Sequence, residues 1–213
     1  MKALKIRYAN LPEVLAPERV HKYLDTVAIV PITCFPWEVY PDTVKVNYSV
    51  AHNGSALLLK FRVEEEYLTA ASVTNGAVHK DSCVEFFVAF GDDDCYYNLE
   101  FNCIGWAKIG YGRDRRHRSL LPDDKINEVL SFSTIISGET EGEKRFSWEI
   151  SLVIPASVFF YNNIVSFMSL KARGNFYKCK GTPPSDHYIS WNMVKAPKPD
   201  FHRKECFGEL EFE

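Results

Sequence analysis

From Cys95 to Cys103 the chain alternates without a break. Tyr97, Leu99, Phe101 and Cys103 fall on one side, and Tyr96, Asn98, Glu100 and Asn102 on the other. A period of two is the signature of a pleated strand, and a helix cannot accommodate it. The same alternation runs through Val44–Val50, Leu57–Val63 and Phe146–Ile154. Asn53-Gly54 lies between the first two of these runs and predicts a tight hairpin. Cys83–Phe90 reads as a further strand, closed by the turn Gly91-Asp-Asp-Asp94, and Trp106–Tyr111 as another. Val129–Ile136 and Arg145–Ile154 read as a second hairpin across the polar loop Ser137–Glu143, with Pro155 ending the strand. Val165–Ala172, Tyr188–Trp191 and Phe207–Phe212 complete the set. A short helix is predicted near Pro17–Leu24 and a turn near Ala156–Phe160. So many strands with regular turn signals predict an all-β fold, an antiparallel two-sheet β-sandwich.

Composition agrees. Fifteen Phe, eleven Tyr and four Trp in 213 residues favour strands. The length suits a single domain over residues 1–213 with one sizeable core. A formal net charge of −3 supplies no global basic field, so neither nucleic acid nor an anionic membrane is an expected partner. The opening Met1–Asn10 carries charges at every second or third position and lacks the apolar core of a signal peptide. No stretch approaches a membrane span. The expectation is a soluble, cytoplasmic protein whose six cysteines are reduced. There is no Cys-x-x-Cys pair, so a structural zinc site is not expected.

Two polar-aromatic blocks carry the functional reading. The first is His79-Lys-Asp-Ser-Cys-Val-Glu85, where Glu85 interrupts an apolar strand, followed by the polar row Asn98, Glu100 and Asn102. A carboxylate in such a strand is solvent-facing, paired, or accepts ligand hydroxyls. The second block runs from Arg173-Gly-Asn-Phe-Tyr-Lys178-Cys through His187-Tyr-Ile-Ser-Trp191 to Phe201-His202. Rings beside fixed polar groups suit sugars, whose C–H faces stack on rings and whose hydroxyls need directed hydrogen bonds. Arg113-Asp-Arg-Arg-His-Arg118 is the densest basic run and reads first as a solvated loop, with a grip on an anionic sugar or phosphate as the alternative. No cofactor is expected. Gly91–Asp94 offers oxygen ligands for calcium but lacks the spacing of a calcium loop, and a hairpin turn accounts for it. No Gly-x-Ser-x-Gly or His-Glu-x-x-His signature is present.

Asp81-Ser82, Val84-Glu85-Phe86, Tyr97, Phe101-Asn102, Phe167, Ile189-Ser-Trp191 and Phe207-Gly-Glu-Leu occur in the order found in carbohydrate-binding modules of family 9. With Asn175–Cys179, His187, Ser190-Trp191 and Phe201-His202, the chain resembles the stand-alone family 9-like proteins of gut bacteria still more closely. The resemblance spans roughly residues 40–212. It implies a β-sandwich that binds a mono- or oligosaccharide without cutting it, alone or beside a separate glycoside hydrolase. Family members clamp a terminal sugar between two tryptophans. Those positions fall here on Val78 or His79 and on Phe201, and Glu100 stands where sugar-clamping members have a basic residue. Trp191 matches a landmark that serves core or site.

The candidate binding set is therefore His79, Glu85, Asn102, Arg173, Lys178, Phe201 and His202, with Glu85 and Asn102 expected on one concave surface and Phe201 at its rim. Two alternatives stand beside sugar binding. One is a glycosidase using Glu85 and Glu100, since that chemistry needs two carboxyls. The other is a scaffold that has kept the fold and lost the sugar site.

Overall fold

The computed structural model describes residues 1–12, 15–39, 44–140, 142–183 and 185–213, and for Thr140 and Glu143 the backbone alone. Its strands are β1 (Ala3–Tyr8), β2 (Val30–Pro31), β3 (Val44–His52), β4 (Ala56–Glu65), β5 (Cys83–Phe90), β6 (Tyr96–Asn102) and β7 (Ala107–Gly112). They continue as β8 (Arg118–Leu120), β9 (Leu130–Thr140), β10 (Glu143–Pro155), β11 (Lys171–Lys180), β12 (His187–Ser190) and β13 (Gly208–Phe212). Helices α1 (Pro17–Leu24) and α2 (Asp123–Ile126) are short.

The strands follow one hydrogen-bonded path, β8-β7-β6-β5-β11-β13-β1-β3-β4-β10-β9, with β12 added to β11 and β2 to β3. β1 turns the corner. Ala3–Ile6 pairs with Glu209–Phe212 of β13, while Arg7 and Tyr8 pair with Ala51 and His52 of β3. These two pairings are parallel and those between the other strands antiparallel. The path curls at β1 so that the β8-to-β13 half covers the β3-to-β9 half, and one apolar core fills the gap.

Alternation decides which residues enter that core. Val84, Phe86 and Val88 of β5 and Tyr97, Leu99 and Phe101 of β6 point inward, opposite Leu57, Leu59 and Phe61 of β4 and Trp148, Ile150 and Leu152 of β10. Phe176 of β11 joins the sheets, stacking on Phe86 at 4.7 Å and on Tyr48 of the facing sheet at 3.9 Å between ring centres. Trp191 is a core residue, 3% exposed and edge-on to both Tyr48 and Phe176. Gly208 makes room for it: a Cβ there would lie 2.6 Å from the Trp191 ring.

The Asn53-Gly54 hairpin forms as its residues predict. Gly54 takes φ +88°, and Asn53 Oδ1 accepts the Ala56 amide at 2.8 Å. The run Val165–Ala172 is not a strand; the strand in that region is β11, which begins at Lys171. The polar loop expected at Ser137–Glu143 is narrower, since β9 continues to Thr140 and β10 begins at Glu143. Glu141 lies outside the described residues.

Both outer faces are partly covered. On one, α1 buries Val20 and Leu24 against Leu58 and Val153, and Lys60 beneath it meets Asp25 at 2.6 Å and Glu149 at 2.8 Å. On the other, Phe87, Tyr96 and Tyr177 pack under Phe201, Cys206 and Phe207. This second outer face carries the site. Among the described residues no helix is long and apolar enough to cross a membrane.

Candidate functional site

Residues with odd numbers in β5 and β11, and with even numbers in β6, leave the core on the outer face of the first sheet. Cys83, Glu85, Asn98, Glu100, Tyr177 and Cys179 thus share one surface. Glu85 and Glu100 are direct cross-strand partners, as are Cys83 and Cys179. Where the segment around Phe201 stops covering this surface, a small pocket of about 90 Å³ opens. Glu85, Glu100 and Cys179 form its floor, and Tyr188, Pro199 and Phe201 its apolar wall. His79, Arg115, Arg118 and His202 bring basic groups to it.

The two carboxyls are each 3% exposed. Glu85 Oε1 accepts from the Cys179 thiol at 3.1 Å. Glu100 Oε1 accepts from Asn98 Nδ2 at 3.0 Å and has Arg118 Nη1 at 3.8 Å. Glu100 Oε2 is buried with no hydrogen-bond partner, and His79 Nδ1 stands 3.8 Å away. Burial raises the Glu85 carboxyl well above the usual carboxylate range, and the neighbouring Cys179 and Glu100 add to the effect. Burial also raises Glu100, against the pull of Arg118 and Lys108. His202 is held by Tyr96 Oη at 2.7 Å on Nδ1 and by Arg118 Nη1 at 3.3 Å on Nε2. A guanidinium only donates, so Nε2 accepts and the ring is the neutral Nδ1–H tautomer. Burial, with Arg118 and Arg115 nearby, takes its pKa down to about 3. Burial foremost, then Lys108 and Arg115, also lowers that of His79.

Of the residues expected from sequence, His79, Glu85, Phe201 and His202 meet at this pocket. Phe201 presents little of its ring: it is 7% exposed, and one face stacks on Tyr177 at 4.1 Å. Asn102 lies on the same sheet face, but its amide ties loops together. Nδ2 donates to Asp81 Oδ2 at 2.9 Å, and Oδ1 accepts the Trp106 amide at 3.0 Å. Lys178 is not on this surface. As an even-numbered residue of β11 it points into the sandwich, where Nζ meets Glu65 Oε2 at 3.0 Å and donates to His187 Nε2 at 2.8 Å. Arg173 shares the face but sits six residues from Cys179, about 20 Å along the strand. It lines a separate depression with Lys5, Glu209 and Glu211.

The pocket also contains groups not in the expected set. Tyr188 reaches it because β12 pairs with β11, setting Tyr188 opposite Cys179. Arg118 arrives because β8 pairs with β7, and its side chain is 16% exposed where a solvated loop is predicted. Both lie in segments the sequence singles out, Arg118 in the basic run and Tyr188 in the second polar-aromatic block, but only strand pairing brings them to the pocket. The acidic turn uses its oxygens internally: Asp93 accepts from the Cys95 amide, Tyr111 and Asn162, and Asp94 pairs with Lys204 at 2.9 Å.

Residues 16–212 match the family model described as carbohydrate-binding family 9. The chain belongs to carbohydrate-binding family 9. Comparison with curated proteins returns no match. Among solved structures, this family 9 chain is similar to a candidate carbohydrate-binding protein from Bacteroides uniformis, at 34% identity and a TM-score of 0.89, covering 100% of this chain and 99% of that one. It shares its fold with a family 9 module from Caldicellulosiruptor kristjanssonii in complex with cellotriose, at 12% identity and a TM-score of 0.56 over 100% and 94% of the two chains. The glucose complex of a module from that organism compares at 11% identity, with a TM-score of 0.56 over 100% and 96%. Family 9 membership makes this a carbohydrate-binding protein by descent, and its fold is shared with these solved relatives.

Proposed function

We propose that this family 9 protein binds a single sugar unit, free or at a chain end, in the pocket floored by Glu85 and Glu100. The observation that carries the reading is Glu100 Oε2, a buried oxygen without a hydrogen-bond partner beside a second carboxyl. Such a group is costly to leave unsatisfied, and a sugar hydroxyl donates where no protein group does. Arg118 and Arg115 add donors, and Tyr188 with the free edge of Phe201 supplies an apolar surface for ring C–H groups. The enclosure suits one ring rather than an extended chain.

The same two carboxyls argue against hydrolysis. Glycosidases flank the scissile bond with their pair, on opposite sides of the sugar. Glu85 and Glu100 are neighbours on one face of one sheet. Glucose and cellotriose, the ligands in the Caldicellulosiruptor complexes, are the first probes. Calorimetry against these and a wider panel of monosaccharides tests binding, and a reducing-sugar assay on cellotriose tests turnover. Saturable binding without release of sugar is expected. Release that disappears in Glu85→Gln would make the protein an enzyme.

A further inference from the structure

We propose that Cys83, Glu85 and Cys179 form a binding site for one thiophilic divalent cation, with zinc the natural candidate, beneath the pocket. Sugar binding is not a premise of this site. The topology assembles it from two strands. Cys83 and Glu85 are two apart on β5 and share its outer face, and Cys179 is the direct cross-strand partner of Cys83 on β11. Cys179 Sγ lies 3.1 Å and Cys83 Sγ 3.9 Å from Glu85 Oε1, and the ligand atoms of the three residues all fall within 4.8 Å of one another. Among the described residues this is the only group of three His, Cys, Asp or Glu side chains to converge in this way. Tetrahedral zinc, with Zn–S about 2.3 Å and Zn–O about 2.1 Å, sets sulfur and oxygen roughly 3.6 Å apart. The two observed separations bracket that value.

The thiols have little other employment. Cys83 and Cys179 are free and at most 1% exposed. Apart from Glu85 and each other, Cys83 Sγ reaches the Val84 carbonyl at 3.6 Å, and Cys179 Sγ the His79 carbonyl at 3.5 Å. Three protein donors leave a fourth position, and because Glu85 and Cys179 line the pocket that position opens into it. An independent feature stands on the same side. Glu100, opposite Glu85, buries an unpartnered oxygen there that can accept from a metal-bound water. Two sulfur donors select zinc, cadmium or cobalt over calcium or magnesium. On binding, each thiol releases its proton to solvent and its sulfur binds the metal, so two protons leave per ion, and a third leaves when the raised Glu85 carboxyl holds one beforehand. Two thiolates and a carboxylate against a divalent ion leave one negative charge, with Arg118 and Arg115 beside the pocket to balance it. The absence of a Cys-x-x-Cys spacing is no obstacle, because strand pairing supplies the proximity that a local motif supplies elsewhere.

The test is titration of reduced, metal-free, full-length protein with cobalt(II), without sugar, followed by displacement with zinc. One equivalent of cobalt should give a thiolate-to-metal charge-transfer band and tetrahedral d–d absorption, both removed by zinc. The band should vanish in Cys83→Ser/Cys179→Ser and persist in Cys34→Ser/Cys206→Ser, with folding of each variant checked by circular dichroism. Glu85→Gln should weaken the metal at least tenfold. Absence of a thiolate band in wild type, or an unchanged band in the Cys83/Cys179 double variant, would overturn the site. Sugar affinity is measured on the metal-free protein, so the two readings fail separately.

Discussion

Glu85 faces Glu100 directly across the β5–β6 register, and both side chains are buried. Two adjacent carboxyls in a low-dielectric setting cannot both ionise cheaply. The fold therefore holds an electrostatically unfavourable pair, and an arrangement that costs stability without serving the core points to ligand recognition.

Replacing one member should separate stability from binding. Glu100→Gln keeps the shape and removes the like charge, so thermal stability should hold or rise. Hydrogen bonds to charged groups contribute about 1.5–3 kcal/mol, so sugar affinity should fall roughly tenfold or more. Thermal denaturation and calorimetry on the same sample check both directions.

Lys178 should behave in the opposite way. It forms an interior pair with Glu65, 3.0 Å apart, in which both side chains are at most 1% exposed. Lys178→Met leaves the Glu65 charge buried, which costs about 3–5 kcal/mol. Adding Glu65→Gln should recover much of that loss. Sugar affinity of the folded double variant should stay at the wild-type level, as should that of Arg173→Ala. Urea denaturation with calorimetry measures both quantities.

How far the sequence carries is clearest in β11. The alternation of β3, β4, β6 and β10 is plain because apolar residues fill one side. In β11 the inward row is Ala172, Gly174, Phe176 and Lys178, which looks like no core face. Lysine is tolerated there because Glu65 meets it from the facing sheet and His187 and the Cys179 carbonyl accept from it, contacts no local pattern reveals. The site divides similarly. Glu85 stands out as a carboxylate in an apolar strand, and His79, Phe201 and His202 come through the family resemblance. Arg118, Tyr188 and the Cys83–Cys179 pairing depend on strand register between distant segments.

Acid should destabilise the fold through two buried histidines. His187 Nε2 accepts from Lys178, and burial foremost, then Lys178, takes its pKa down to about 2. His202 lies at about 3 for related reasons. In the unfolded chain each takes a proton near pH 6.5, so below that value the unfolded state binds more protons. Stability from this source is complete above about pH 7 and falls by about 1.4 kcal/mol per pH unit per histidine as the pH drops from 6.5 toward 3. Glu85 and Glu100, raised in the fold, act with the opposite sign, from the ordinary carboxylate range upward. Comparing wild type with His187→Gln in urea at pH 7 and pH 5 isolates one histidine. The variant should lose less stability between the two pH values.

The Tyr188 wall gives a prediction about stacking. Tyr188 is half-buried, edge-on to Trp37 at 6.0 Å and to Phe201 at 6.0 Å. An aromatic contact contributes about 0.5–1.5 kcal/mol beyond area burial. Tyr188→Ala should weaken sugar binding several-fold while the strand pairing of β12 survives, as read by calorimetry and far-ultraviolet circular dichroism. Phe201→Ala should instead cost stability first, because one face of its ring already stacks on Tyr177.

The central claim is that the Glu85–Glu100 pocket is the sugar site, and calorimetric titration of metal-free wild type, Glu100→Gln and Arg173→Ala with glucose, cellotriose and a monosaccharide panel tests it most directly. The account predicts one saturable site per chain for at least one of these sugars, weakened roughly tenfold or more by Glu100→Gln and unchanged by Arg173→Ala. Equal affinity in wild type and Glu100→Gln, or loss of binding in Arg173→Ala alone, would contradict it.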